Sequence, residues 1–209
     1  MSVVGRPVLS RDVIAEVALR LTETDGLATL SMRKLGAELG VEAMSLYHYV
    51  ENKNDLLQAM TDRLYAEIEL PDLADDVQWD DAVRQVLRSY HRVLVRHSAA
   101  TELFFSQAMT ATGGLPVMTW VFELFTRIGL EASDAGAALH FAVSFASGHA
   151  ATELSGNESL VVDPTAIGAI GDPAVALFVG QLSDADPDEL FEAGLELVIA
   201  GFRSRFQLP

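Results

Sequence analysis

Apolar positions recur at helical spacing along almost the whole chain, and nowhere in the strict alternation of a half-buried strand. Val13, Ile14, Val17, Ala18 and Leu21 form one stripe, opened by Ser10 as a cap and closed near Asp25 and Gly26. Met32, Leu35 and Leu39 form a second, shorter stripe behind Ser31. Gly40 then permits a left-handed turn, and Val41, Leu46 and Val50 supply another inward face. Two short helices around a tight glycine turn make a helix-turn-helix over about 31–50, and the second helix of such a pair fits the major groove of B-DNA. Asn52 and Asp55 predict the start of a connecting helix over 53–70, stopped by Pro71. Further helices are expected over about 81–97, 101–112, 115–129, 131–154, 173–183 and 187–206, the last two opened by Asp-Pro pairs. The stretch 156–172, with three internal glycines and Pro164, reads either as a surface connection or as a flap over a ligand pocket.

The expected fold is therefore all-α: an N-terminal three-helix helix-turn-helix domain over 1–70, and a larger helical domain over 71–209. The boundary falls in the acidic, proline-led stretch 71–80.

Composition narrows the setting. Half of the 209 residues are apolar, enough to build a core, yet no run approaches the roughly 18 to 20 residues of a membrane span, so no membrane partner is expected. The first ten residues lack the apolar stretch of a signal peptide, which points to the cytoplasm. With no cysteine there is no disulfide and no thiolate metal site. A net charge of −16 argues against a nucleic-acid partner until it is divided: residues 1–64 hold seven basic and nine acidic side chains, residues 65–209 seven and twenty-one. The acid lies away from the helix-turn-helix, around which Arg6, Arg11, Arg33, Lys34 and Lys53 gather.

The stretch LTETDGLATLSMRKLGAELGV, the segment EAMSLYHYV and NKNDLL after it resemble the tetracycline-repressor (TetR) family of transcriptional regulators, most strongly over Leu9 to Leu70. Length, helix order and apolar character of the remainder are similar to the family's C-terminal domain. The resemblance implies an all-helical homodimer that reads DNA with its N-terminal domain, and that binds a small molecule and dimerises through its C-terminal one. On that reading Ser31 and Arg33, at the start of the first motif helix, grip phosphate, while Ala43, Met44 and Ser45 in the exposed first turn of the second touch base edges. Tyr47, His48 and Lys53 are further DNA contacts, and Tyr49 is assigned to packing. Arg6 and Arg11 either touch backbone or are merely exposed.

Dimerisation is expected from Ala138, Ala142, Ala146 and Ala150 on one helix and Phe191, Leu195, Val198 and Phe202 on another, two helices from each subunit making a four-helix interface; the alternative is packing within one subunit. Candidate ligand-binding residues are Tyr90, Phe104, Phe105, Met109, Trp120, Phe125, His140, Phe141 and Ser144, drawn from an apolar set that also holds Leu87, His91 and Leu103. His140 and Ser144, one turn apart, are the polar candidates for orienting a ligand. Arg84, Arg88, Arg92 and Arg96 share a helix face that reads as solvated, or as an attractor for an anion. The five histidines show no three- or four-residue spacing, so no metal or cofactor is expected. No GxSxG elbow or phosphate-binding glycine loop supports an enzyme. The function these residues imply is a homodimeric repressor, released from a pseudo-palindromic double-stranded DNA operator by a small, largely apolar inducer. The alternatives are an activator, or an interaction module whose helix-turn-helix does not bind DNA.

Overall fold

A computed structural model describes residues 8–74, 78–110, 112–155 and 172–209, the side chains of 182–184 excepted. Every regular element among them is helical. The α-helices are α1 (Arg11–Asp25), α2 (Met32–Leu39), α3 (Ala43–Leu46), α4 (Lys53–Ala66), α5 (Trp79–Arg96), α6 (Leu103–Ser106), α7 (Gly114–Arg127), α8 (Ala132–Leu154), α9 (Pro173–Asp184) and α10 (Pro187–Phe206), with 3-10 turns at Leu27–Thr29 and Ser98–Ala100. No helix among the described residues is long and apolar enough to cross a membrane. Arg6 and nearly all of the irregular stretch at 156–172 lie outside the described residues.

Local chemistry sets most of the boundaries. Ser10, Ser31 and Asn52 accept hydrogen bonds from the backbone N–H groups of Val13, Lys34 and Asp55, and so cap α1, α2 and α4. Asp172 and Asp186 cap α9 and α10 in the same way, each followed by a proline at the first helical position, where its missing N–H costs nothing. The helix expected over 101–112 is cut to the single turn of α6. Beyond it, Gln58 on α4 donates to the Ala108 carbonyl, and the Thr110 and Thr112 hydroxyls donate to Asp62, so polar bonds to α4 replace the helical ladder. Helix α4 stops at Ala66 rather than 70, with the Glu67 N–H closing its last turn.

The chain forms two compact units that interleave along the sequence. By packing, the first comprises 1–70 and 96–120 and the second 71–95 and 121–209, so the stretch 96–120 packs with the N-terminal helices. Helices α5 and α7 each contribute residues to both.

In the first unit Ile14, Ala18, Leu35, Leu46, Leu56, Met60, Leu64 and Leu103 are sealed from solvent. In the second, α5 and α10 are joined by Arg84, which grips Glu196 at 2.7 and 3.0 Å, and by Arg88, which grips Glu192 at 2.7 and 2.6 Å. Each pair is a two-bond fork that a lysine would not reproduce. Arg84 also meets Asp80 at 2.9 Å. Two of the arginines read as a solvated face are therefore clamps, and each lowers its glutamate's pKa through the hydrogen bond.

Candidate nucleic-acid interface and ligand-binding residues

Helices α2 and α3 are held at close quarters by two glycines. Gly40 caps α2 in the left-handed conformation (φ 66°), which lets the chain reverse in one residue. At Gly36 a Cβ would stand 2.9 Å from the Val41 carbonyl oxygen, so only a bare α-carbon allows the turn to fold this tightly. Behind the turn Leu46 and Val50 are 0% and 1% exposed, anchoring α3 from within.

The outward face is thereby decided. Met44 is 73% exposed, Tyr47 42% and Tyr49 41%, and His48 is exposed as well. Ala43 and Ser45 are half-buried, flanking the projecting Met44. Tyr49, assigned to packing, is as open as Tyr47: after Leu46 the chain continues in tighter turns bonded three residues back, whose side chains do not keep α-helical spacing. Ser31 and Arg33 are exposed at the start of α2, and Lys53 at the start of α4. Neither Arg33 nor Lys53 forms an ion pair among the described residues, so both charges face solvent.

The other basic residues near the motif are engaged. Arg11 pairs with Asp55 at 2.6 Å, and Asp55 also accepts from the Glu51 N–H, which ties the start of α1 to the loop after α3. Although burial opposes it, these partners hold the Asp55 carboxyl below its ordinary range. Lys34 pairs with Asp25 at 2.7 Å and bonds Thr29.

The ligand-binding candidates are shared between the two units. Phe104, Phe105, Met109 and Trp120 belong to the first unit, and Tyr90, Phe125, His140, Phe141 and Ser144 to the second. Phe104 is buried edge-on against Tyr65, and Trp120 is buried, whereas Phe105 and Met109 are exposed. In the second unit Tyr90 and Phe125 point inward, with the Tyr90 hydroxyl 3.0 Å from that of Ser147. His140, Phe141 and Ser144 instead lie on the outward face of α8. The pair chosen to orient a ligand thus faces solvent, because α8 is apolar on nearly all sides and its spacing alone does not reveal which side is covered.

A polar group inside the second unit was not foreseen. His91 on α5 meets Glu153 on α8 at 3.1 Å and His149 at 3.3 Å. Burial pushes both imidazoles below their ordinary pKa, against the opposing pull of Glu153. A histidine-only spacing search passes over this group; the four-residue step from His149 to Glu153 was the available signal.

The residues expected at a dimer interface are also placed otherwise. Ala138, Ala142, Ala146 and Ala150 on α8, and Phe191, Leu195, Val198 and Phe202 on α10, are all buried within the single chain. Their methyl and aromatic groups pack inside the subunit and offer no surface to a second copy. The exposed residues of α8 include Ala137, Phe141, Ser144, Gly148 and Ala151, and those of α10 include Leu190, Ala193, Leu197, Ala200 and Ser204 at helical spacing, beside the exposed charges Asp188, Glu189, Glu196, Arg203 and Arg205.

Comparison with known proteins accounts for nearly the whole chain. The sequence pattern of "Bacterial regulatory proteins, tetR family" matches residues 14–60, and that of "Tetracyclin repressor-like, C-terminal domain" matches residues 70–206. An HTH-type transcriptional regulator of Saccharopolyspora erythraea is 31% identical over 137 residues, covering 64% of this chain and 58% of the relative. The transcriptional repressor DrrR1 of Streptomyces coeruleorubidus is 30% identical over 154 residues, covering 74% and 57%. The chain thus spans less than two thirds of either relative. Among solved structures, apo ActR from Streptomyces coelicolor superposes with a TM-score of 0.76 at 26% identity, covering 94% of this chain and 95% of that one, and the same protein is known in complex with actinorhodin. The helix-turn-helix at the N-terminus and the all-helical remainder are those of these proteins, and the chain belongs to the tetR family of bacterial regulatory proteins.

Proposed function

We propose that the protein is a homodimeric transcriptional repressor, which holds a pseudo-palindromic operator until a small, largely apolar ligand releases it. The observation that carries this reading is the face formed by Met44, Tyr47, His48 and Tyr49, projected by a turn whose other side is anchored by Leu46 and Val50. Arg33 and Lys53, uncommitted among the described residues, flank it as phosphate contacts, with the Ser31 hydroxyl beside them. Ala43, Met44 and Ser45 form no bidentate base contacts, so sequence preference rests largely on thymine methyl packing and DNA shape.

A dimer is supported by apolar residues exposed on α8 and by the strip of α10 formed by Leu190, Ala193, Leu197, Ala200 and Ser204. Leu197, 75% exposed, and Phe141, 58% exposed, are large apolar groups that a second copy would cover. Ligand response is supported by the names of relatives: ActR binds actinorhodin, and a further match is the tetracycline repressor class D of Escherichia coli. Tyr90 and Phe125 are the inward-facing candidates of the second unit, and Phe104 and Trp120 those of the first. Because α7 is shared between the units, a ligand that favours one placement of this helix can act on the DNA-reading unit through continuous backbone. Such coupling is typically about 1–3 kcal/mol and reciprocal, so DNA weakens ligand binding by the same factor.

Nuclease footprinting over the DNA flanking the protein's own gene tests the reading. Two protected half-sites related by a twofold axis, centred one or a few helical turns apart, are expected. A single unpaired site, or none, contradicts the dimeric repressor.

A further inference from the structure

We propose that His91, His149 and Glu153 form a binding site for one divalent transition-metal ion of the zinc class, a site independent of the DNA-reading face. The three donor atoms converge without a hydrogen-bonding pattern that satisfies them. His91 Nε2 stands 3.1 Å from Glu153 Oε2 and 3.3 Å from His149 Nδ1, while the last two are 4.0 Å apart. One imidazole nitrogen carries at most one hydrogen, so His91 Nε2 cannot donate to both neighbours. Glu153 Oε2 is buried and, among the described residues, accepts no well-aligned hydrogen bond, although His91 Nε2 stands 3.1 Å away. A buried carboxylate oxygen left in that condition is costly, and a cation lying among the three atoms removes the cost.

The dimensions suit an ion. A point equidistant from the three atoms lies about 2 Å from each, the length of a zinc–nitrogen or zinc–oxygen bond. The edges of the triangle lie near the roughly 3.3 Å that separates ligands on a tetrahedron of such bonds, with only the His149–Glu153 edge needing to close. Two imidazoles and one carboxylate are the donor set of zinc sites that keep a position open for water or an exogenous ligand. Magnesium prefers oxygen donors and an octahedron, and fits poorly.

The surroundings hold the donors in place. Phe191 stacks on the His91 ring at 4.1 Å and 19°, and meets His149 edge-on at 5.3 Å. His149 and Glu153 are one helical turn apart on α8, which fixes their spacing through the backbone. Asp188, near the start of α10, places a second negative charge in the field of both imidazoles, as a cation would require.

The test uses the untagged full-length protein, stripped with a chelator and titrated with zinc chloride and, separately, cobalt chloride. One ion per chain is expected, with cobalt showing the visible absorption of a low-coordinate nitrogen and oxygen site, and zinc but not magnesium raising the melting temperature. Glu153→Gln and His149→Gln, checked for helicity by circular dichroism, are expected to weaken zinc binding by more than about 100-fold, beyond the roughly 10–100-fold lost with an outer-shell partner. The surface variant His140→Ala is expected to leave it unchanged. Failure of the wild-type protein to take up cobalt at one per chain, or an undiminished zinc affinity in folded Glu153→Gln, overturns the proposal. The wild-type titration decides the matter even where a variant does not fold.

Discussion

Leu46 and Tyr47 are adjacent, yet they do opposite work. Leu46 is fully enclosed and holds α3 against the rest of its unit, while Tyr47 opens to solvent beside it. Leu46→Ala is expected to cost about 2–5 kcal/mol, read as a lowered midpoint in thermal or urea unfolding. Tyr47→Ala is expected to leave stability within about 0.5 kcal/mol while weakening DNA binding. As proposed phosphate contacts, Arg33 and Lys53 are expected to act as charges: replacing either by alanine should weaken binding to specific and random duplexes alike, and reduce the slope of log affinity against log salt by about one. At this scale the helix-turn-helix was largely legible in the sequence, because Ser31, Gly40, Leu46 and Val50 each answer a local demand: a cap, a left-handed turn, a buried contact. Tyr49 was not, since it lies in the tighter turns that follow α3, bonded three residues back, where α-helical spacing no longer predicts the covered side. His91 was not recognised as a site residue either, because its partners are 58 and 62 residues away.

Among the elements, α5, α8 and α10 decide how far sequence spacing can be trusted. The Asp-Pro starts of α9 and α10 were readable because the cap and the proline act within four residues of one another. The buried side of α8 was correctly seen as an alanine ridge and wrongly given to a second copy, since a ridge of small residues suits any close helix, including α10 of the same chain. The arginines of α5 illustrate the same limit: strict spacing described the face, but only the fold shows that Glu192 and Glu196 stand opposite it. These pairs predict an acid response. Glu192 and Glu196 titrate below their ordinary 4.5 in the folded state, so the unfolded chain binds protons first as the pH falls. Their contribution is present above about pH 4.5 and is lost as acid reaches the lowered folded values. Glu192→Gln should therefore reduce the melting temperature slightly at neutral pH, by no more than the roughly 2–4 °C that corresponds to about 1 kcal/mol for a partly exposed pair. The same variant should flatten the decline in melting temperature between about pH 5 and pH 3 relative to the wild-type protein.

For the whole molecule, the acidic balance and the proposed DNA-reading face are reconciled by segregation: the excess acid lies in 65–209, while Arg33 and Lys53 stand exposed beside the motif with no ion pair among the described residues. The expected consequence is modest, salt-sensitive affinity, with indiscriminate binding suppressed by repulsion from the acidic remainder. In the proposed dimer, twofold binding would depend on the exposed apolar residues of α8 and α10, so Leu197→Glu, at a solvent-facing position in the single chain, is expected to leave the subunit folded and to give a monomer in light scattering where the wild-type protein gives a dimer. It should also cost most of the operator affinity, because each half-site is then bound alone. The central claim, that this chain reads DNA as a sequence-specific regulator, is tested most directly by fluorescence anisotropy with a labelled duplex from the promoter beside its own gene. The titration is run at low and physiological salt against a scrambled duplex of equal length and composition. The account predicts at least about 1000-fold preference for the promoter duplex at physiological salt, in the range of specific regulators, and its sharp reduction in Tyr47→Ala. Equal affinity for the two duplexes at both salt concentrations would contradict it.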